Sequence, residues 1–315
     1  MTRVAAVDCG TNTIRLLVSD IDPVAGTQHD LLREMRIVRL GQDVDRTGRL
    51  ADAALERVFA ATEEYARLIA THRAAAVRFV ATSAARDAAN ADVFTEGIEA
   101  RLGVVPEVIR GGVEAQLSYD GATRSLPEVP TPVAVVDIGG GSTEVIIGEP
   151  ATGSDPRAHG RVRGARSLDI GSVRVTERLM PSDRPTRAEV AAATRLVDEA
   201  LDTLPSYGVH VGDAATVVGV AGTVTTVGAL LVGLRSWDRD RVHHATFQTS
   251  QVHELVSRLL GMTVAEREGL GVPAGRSDVI GAGALILDRV LDRSGSDRLL
   301  VSDSDILDGI AWSIA

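Results

Sequence analysis

Two stretches of the chain place a carboxylate beside bare glycine backbone: "VAAVDCGTNTIRLLVSD" at residues 4–20 and "VAVVDIGGGSTEVIIGE" at residues 133–149. In each, an apolar run ends on an aspartate, passes through glycines and hydroxyls, and resumes as an apolar run. Laid on each other they keep register, Asp8 on Asp137, Gly10 on Gly139 and Thr13 on Ser142, at an offset of 129 residues. A glycine turn lets a ligand approach the backbone closely because no Cβ intervenes. Successive N–H groups in such a turn form an anion-binding concavity. The candidate phosphate-binding residues are therefore Gly10, Thr11, Asn12 and Thr13 in the first turn, and Gly139, Gly140, Gly141, Ser142 and Thr143 in the second. Asp8 and Asp137 would repel a phosphate, so they fit better as ligands of Mg²⁺ or as acceptors that orient a water. One copy alone could be an ordinary tight hairpin. Two copies in register, both with the carboxylate at the strand end, favour paired turns that clamp a phosphate chain across a cleft with the metal between them. A third stretch, "VVGVAGTVTT" at 217–226, runs from a strand through Gly222 and Thr223 into a helix start, another place where anions bind.

The elements that must position these turns repeat as well. Strands are expected at 3–8, 14–20 and 27–38, then a helix at 51–71, a strand at 77–82, helices at 84–89 and 91–102, a short strand at 105–109 and a helix at 113–123. "LPEVPTP", residues 126–132, carries three prolines that break helix and central strand alike, and sets the boundary between domains 1–129 and 130–315. After it the pattern restarts with strands at 133–137, 143–149 and 158–167. Helices follow at 171–179 and 186–204, a strand at 215–219, and helices at 222–233, 250–260, 263–269 and 276–291. A strand at 298–302 and a helix at 306–314, which could pack back toward the first domain, complete the pattern. Both halves open β-β-β and then turn helical, which is a duplicated α/β domain rather than a short-period solenoid.

Composition narrows the chemistry. The chain has 315 residues, 44% hydrophobic but only 3% aromatic, so its cores are built from aliphatic residues. All 33 basic residues are arginine. Without lysine there is no Walker A loop and no Schiff-base amine. The single Cys9 excludes an internal disulfide and a cysteine-rich zinc site. A net charge of −10 argues against a nucleic-acid partner, though local arginines can still meet a polyanion. Residues 214–234 carry no charge and are long enough to span a bilayer, but their glycines and threonines parse better as buried strand, turn and buried helix. With no signal-peptide layout at Met1, the expectation is a cytoplasmic protein without a membrane partner.

The doubled motif resembles that of the actin-like phosphotransfer superfamily, and within it the chain is similar to the Ppx/GppA family of exopolyphosphatases and guanosine pentaphosphate phosphohydrolases. "DCGTNTIRLL" and "DIGGGSTE" resemble the two phosphate loops of the family. "RLGQDVDRTGRL", "VATSAARDAANADVF", "LDIGSVRVTERL", "GVAGTVTT", "GRSDVIGAGALIL" and "VSDSDILDGIAW" resemble further family blocks in the same order. The resemblance implies an α/β fold of duplicated actin-like (ribonuclease H-like) domains, each with a central mixed sheet, and an interdomain cleft. It also implies Mg²⁺ (or Mn²⁺), a homodimer, and polyphosphate or guanosine pentaphosphate as substrate. In "VIRGGVEAQLSYDG", residues 108–121, Glu114 matches the catalytic glutamate. Val113 stands where a second glutamate is usual, and Arg110 where a serine is common. By the same resemblance Arg86 faces the terminal phosphate and Glu144 helps hold the metal or the attacking water.

Read from the residues alone, Glu114 sits in the first turn of an expected helix, where the macrodipole favours an ionised carboxylate and a solvated role would serve equally well. Arg276 and Asp278 could cap the helix that follows them or reach the cleft. The arginine-rich, acid-free stretch 156–168 reads as a strand edge protected by charge, with a track for a phosphate chain as the alternative. His243 and His244 read as surface residues. Two rivals share the superfamily's turns: a sugar or acetate kinase, and a non-catalytic actin-like or Hsp70-like ATPase.

Overall fold

The computed structural model describes residues 1–151 and 159–315. Its elements form two compact units: 1–121 with 151–160 and 306–315, and 122–150 with 161–305.

In the first unit, strands β1 (Thr2–Cys9), β2 (Thr13–Asp22) and β3 (Thr27–Ile37) form an antiparallel meander. Helices α1 (Val44–Thr47) and α2 (Asp52–His72) lead to β4 (Ala76–Ala81), which returns parallel to β1. Then come α3 (Ser83–Asp87), α4 (Ala91–Leu102), β5 (Glu107–Val108) and α5 (Gly111–Arg124). The sheet order is β3-β2-β1-β4-β5. β1 is central and buried from Val4 to Cys9, so both its faces are apolar and its sequence reads as a continuous run rather than an alternation. On one face α2 buries Ala54, Leu55, Val58, Ala61, Thr62, Tyr65 and Ile69 at helical spacing. The Tyr65 hydroxyl donates to the Ile14 carbonyl at 3.0 Å. The other face is covered by the final helix, whose Ile306, Leu307, Ile310 and Ala311 pack with Val4, Ala6, Leu17 and Ile21.

The second unit repeats the opening. β6 (Val133–Ile138), β7 (Thr143–Glu149) and β8 (Arg161–Leu168) are an antiparallel meander. After α6 (Ser172–Leu179) and α7 (Arg187–Leu201), β9 (Thr216–Val220) lies parallel to β6. The rest is α8 (Ala221–Leu231), α9 (Arg239–Val242), β10 (Thr246–Gln248), α10 (Thr249–Leu260), α11 (Val264–Leu270), α12 (Ile280–Ser294), β11 (Arg298–Val301) and the helix of the first unit, α13 (Ile306–Trp312). The sheet order is β10-β11-β9-β6-β7-β8. Two mixed sheets that start with the same three strands make this a duplicated actin-like fold.

Most expected elements appear within two or three residues of their anticipated bounds. The uncharged 214–234 stretch divides into β9 and α8, and among the described residues no helix is long and apolar enough to cross a membrane. α12 starts at Ile280 rather than 276, because turns held by Arg276 N–H on Pro273 O and Val279 N–H on Arg276 O precede it. α7 stops at Leu201, and a 3₁₀ turn at Leu204–Tyr207 contains Pro205, which cannot continue an α-helix. β10 was not legible, since three residues are too few to show alternation.

Candidate active site

The first turn closes with the Gly10 N–H on the Thr13 carbonyl at 2.9 Å. The second closes with the Gly139 N–H on the Ser142 carbonyl at 3.0 Å. The two hydrogen bonds occupy equivalent positions of the repeat, so the duplication read in the sequence is a duplication of backbone geometry. In each turn the aspartate lies two residues before that closing glycine. Asp8 and Asp137 are both buried.

The residues opposite the two aspartates differ in charge. Asp8 faces Arg15 across the hairpin, and Arg15 donates to Asp8 Oδ2 from Nε at 3.0 Å and from Nη2 at 2.6 Å. Asp137 faces Glu144, with 6% and 2% of their surfaces exposed. Ser167 on β8 donates its hydroxyl to Glu144 Oε1 at 2.6 Å. Two buried carboxylates on neighbouring strands are a donor set for a hard divalent cation, whereas a carboxylate already neutralised by a guanidinium is a poor one. All three expected metal ligands are buried carboxylates, Asp8 bonded to Arg15 and Glu144 to Ser167. Among the described residues no three His, Cys, Asp or Glu side chains group as a ready-made metal site. A cation here would need phosphate or water oxygens as well. Cys9, next to Asp8, is an inert packing residue, since burial, aided by the Asp8 charge, pushes its thiol well above the ordinary value.

The structure brings Glu114 and Arg86 together. β4 runs parallel to β1 with Ala81 beside Cys9, so α3, which follows β4, starts next to the first turn. There the Thr11 and Ser83 hydroxyls share a hydrogen bond of 2.9 Å. Arg86, on α3, donates from Nη1 to the Ile109 carbonyl at 3.0 Å and to Glu114 Oε2 at 3.3 Å. Ile109 is itself tied to β4 through its N–H on Ala81 O at 3.0 Å. Glu114 lies in the first turn of α5 and is 6% exposed, which rules out the solvated role that the sequence left open. Asp8, Thr11, Arg86 and Glu114 thus gather at the carboxyl ends of β1, β4 and β5, the edge where open α/β sheets bind ligands.

In the second unit the corresponding edge carries the second turn and the Gly222 turn, at the ends of the parallel β6 and β9. Ala221 adopts φ 65, a left-handed conformation that costs a non-glycine residue energy and tends to persist at functional sites. Arg276 donates from Nη1 to the Gly222 carbonyl at 2.6 Å, and Thr226 Oγ1 reaches the same carbonyl at 2.6 Å. Arg276 therefore holds the third turn. Not every expected hydroxyl is directed at a ligand. Thr143 is fully buried and donates to the Ile170 carbonyl at 2.5 Å, so its side chain serves the turn rather than a phosphate.

The basic stretch is engaged at the sheet edge. Arg163 pairs with Glu149, and the Arg166 guanidinium lies 3.9 Å over the Tyr207 ring, while residues 156–158 fall outside the described residues. His243 and His244 are half-buried and stacked, ring centroids 3.6 Å apart, because the unforeseen β10 draws them against β11. Arg15 and Ser167 escaped the sequence reading. Arg15 had a signal: the repeat offset sets it on Glu144, and the hairpin register sets it opposite Asp8.

The duplicated fold, with a glycine turn at the same place in each half, defines an actin-like class of protein, and comparison with known proteins makes this specific. Residues 17–315 match the model of the Ppx/GppA phosphatase family, and the chain belongs to that family. It is 45% identical over 328 residues to Exopolyphosphatase 2 of Mycobacterium tuberculosis, covering 100% of this chain and 99% of the relative. A guanosine-5'-triphosphate,3'-diphosphate pyrophosphatase of Photobacterium profundum is 32% identical over 228 residues, covering 72% of this chain and 43% of the relative. Among solved structures, an exopolyphosphatase-like protein aligns with a TM-score of 0.92 at 41% identity over 100% of this chain and 98% of the other. The Aquifex aeolicus member of the Ppx/GppA family aligns with a TM-score of 0.80 at 32% identity, covering 99% and 97%.

Proposed function

We propose that this protein is an exopolyphosphatase, which hydrolyses the terminal phosphoanhydride of inorganic polyphosphate and releases orthophosphate. The observation that carries the reading is the buried Glu114 carboxylate held by Arg86 beside the first turn. In a family of phosphatases, a positioned carboxylate next to an anion-binding turn is what activation of water requires. The full-length identity to Exopolyphosphatase 2 supports polyphosphate as the substrate.

In this reading the backbone N–H groups of a glycine turn bind phosphate oxygens. Glu114 accepts the proton of a water whose oxygen adds to the terminal phosphorus. The bridging P–O bond breaks, and the shortened chain leaves with the bridging oxygen. The Arg86 charge would offset the negative charge that spreads over the transferring group, so that positioning and electrostatics supply most of the rate. Asp137 and Glu144 would hold Mg²⁺, or Mn²⁺ in its place, and that ion, when bound, offsets phosphate charge. Guanosine pentaphosphate is the second reading, favoured by the pyrophosphatase relative. A homodimer is the form the family resemblance implies, and sedimentation velocity would check its mass.

The test is orthophosphate release, with Mg²⁺, from polyphosphates of several lengths and from guanosine pentaphosphate, with Glu114→Gln alongside. The expected outcome is turnover of polyphosphate, most of which Glu114→Gln removes while substrate still binds. Turnover that survives Glu114→Gln would overturn the base assignment, and ATP consumption that needs an added acceptor would favour a kinase.

A further inference from the structure

Each phosphate-type turn is held from behind by the segment that follows the third strand of its own unit. In the second unit that segment is Ile170–Arg174. The N–H of Ser172 donates to the Gly139 carbonyl at 2.9 Å, and those of Val173 and Arg174 to the Gly140 carbonyl at 2.9 and 3.1 Å. The Ser172 hydroxyl adds a contact to Gly139 O at 3.3 Å, and Thr143 Oγ1 closes the arrangement on Ile170 O. These donors are the first N–H groups of α6, which have no partner inside their own helix.

In a trans peptide the N–H points opposite to the carbonyl of the same unit. Anchoring the Gly139 and Gly140 carbonyls on α6 therefore turns the Gly140 and Gly141 N–H groups away from it. No backbone carbonyl among the described residues accepts from those N–H groups or from that of Ser142. The approach is so close that only glycine fits at 171. A Cβ there would lie 2.4 Å from Gly140 O and 2.6 Å from Gly141 C, and both are backbone atoms of the turn itself.

The first unit uses the same construction with different residues. After β3, the N–H groups of Val38 and Arg39 both donate to the Asn12 carbonyl at 2.9 Å, and that of Gly41 donates to the Thr11 carbonyl at 2.9 Å. A Cβ on Gly41 would stand 2.2 Å from Thr11 Cγ2 and 3.3 Å from Ala84 Cβ. Turning the β-branched Thr11 side chain to make room would break its hydrogen bond to Ser83. Two unrelated segments, "RLGQ" and "DIGS", thus perform one task at equivalent places of the repeat.

We propose that these two segments are latches that pre-aim the phosphate-binding N–H groups, with Gly41 and Gly171 as positioning residues for the hydrolysis. The inference rests on the phosphate-loop reading above and adds residues that touch no substrate. Donors fixed before substrate arrives need no reorganisation in the transition state, so a latch acts mainly on kcat. A displacement of about 1 Å in such a group costs on the order of 100-fold in rate.

The experiment compares orthophosphate release from polyphosphate, with Mg²⁺, by the wild type, Gly41→Ala, Gly171→Ala, Thr143→Val and Thr143→Ser, each with its thermal midpoint. For each glycine variant we expect kcat to fall by about 100-fold with a much smaller change in KM. Thr143→Val loses the contact to Ile170 and should fall about tenfold, and Thr143→Ser, which keeps the hydroxyl, should recover most of that loss. A glycine variant that folds and keeps kcat within threefold of the wild type overturns the proposal for its own turn. Equal kcat in Thr143→Ser and Thr143→Val overturns it for the second turn, even where Gly171→Ala fails to fold. A wild type that releases no orthophosphate from polyphosphate or guanosine pentaphosphate would instead sink the functional reading, so the two failures are distinguishable.

Discussion

Arg15 and Glu144 occupy the same position of the internal repeat, each directly across a hairpin from an aspartate, and they carry opposite charges. The Arg15 guanidinium pairs with Asp8, while Glu144 sets a second carboxylate across from Asp137. A duplicated turn has thereby become two different devices. One sets a guanidinium across from its aspartate, and the other a second carboxylate.

The metal requirement should divide accordingly. Asp137→Asn and Glu144→Gln should each raise the Mg²⁺ concentration for half-maximal orthophosphate release by at least about tenfold. Asp8→Asn should leave it within about twofold and instead lower stability by about 1–2 kcal/mol through the weakened bond to Arg15. A Mg²⁺ titration of activity together with urea denaturation checks both halves. An Asp8→Asn enzyme with the larger metal defect would reverse the assignment.

Glu114 and Arg86 should behave as one unit. Glu114→Gln is expected to lower kcat by about 10²–10⁴, the range for loss of a general base. Arg86→Ala is expected to lower it by about 10²–10³, the range for loss of a stabilising donor. Since Arg86 also holds Glu114, the double variant should fall well short of the product of the two effects. The kcat values of the four proteins in this cycle test the coupling, and a multiplicative result would show that the residues act independently.

The last helix is held within the first unit by a partly buried network. Asp308 accepts from Arg33 at 2.7 Å and from Gln28 at 2.9 Å, and the Trp312 indole donates to Gln28 Oε1 at 2.6 Å. Asp308→Ala removes the carboxylate that Arg33 and Gln28 hold and should destabilise the unit by about 1.5–3 kcal/mol. The chain has two tryptophans, and Trp237 is already 53% exposed, so a red shift on loosening of α13 would report Trp312. An unshifted spectrum and an unchanged unfolding midpoint would remove the network from the stabilising interactions.

Acid should weaken the second unit through His244. Burial, reinforced by the Arg239 charge, depresses its imidazole below the ordinary value of 6.5. A depressed folded-state value means that the unfolded chain binds the proton more tightly. The stabilisation is therefore complete above about pH 7 and is lost as pH falls through 6.5 toward the lower folded-state value. His244→Asn, which tolerates the left-handed φ of 63, should flatten the stability profile between about pH 7 and 5. Urea midpoints across that range decide it, and an equally steep profile in the variant would exclude His244 as the cause.

The sequence was most readable where structure is local. Gly10 and Gly139 sit in turns closed over three residues, so their spacing alone revealed the geometry. The hairpin register even contained the Asp8–Arg15 pair, though the charge reversal at Arg15 passed unremarked because attention lay on the positions that the two copies share. β10 and the seating of His243 and His244 were hidden, since a three-residue strand exists only by virtue of its partner β11.

What the residues determined by themselves was the duplicated β-β-β opening, the glycine turns and, through resemblance, the family, because hydrogen bonds between near neighbours impose those patterns on contiguous sequence. What only the tertiary structure decided was which side chains meet. Parallel pairing of β1 with β4 brings Arg86 against Glu114. The same holds for Arg276 on the Gly222 carbonyl and for Gly171 against the backbone of Gly140, contacts between segments with no shared periodicity. Such contacts are selected by the packing of whole sheets and helices, and a linear pattern does not record them.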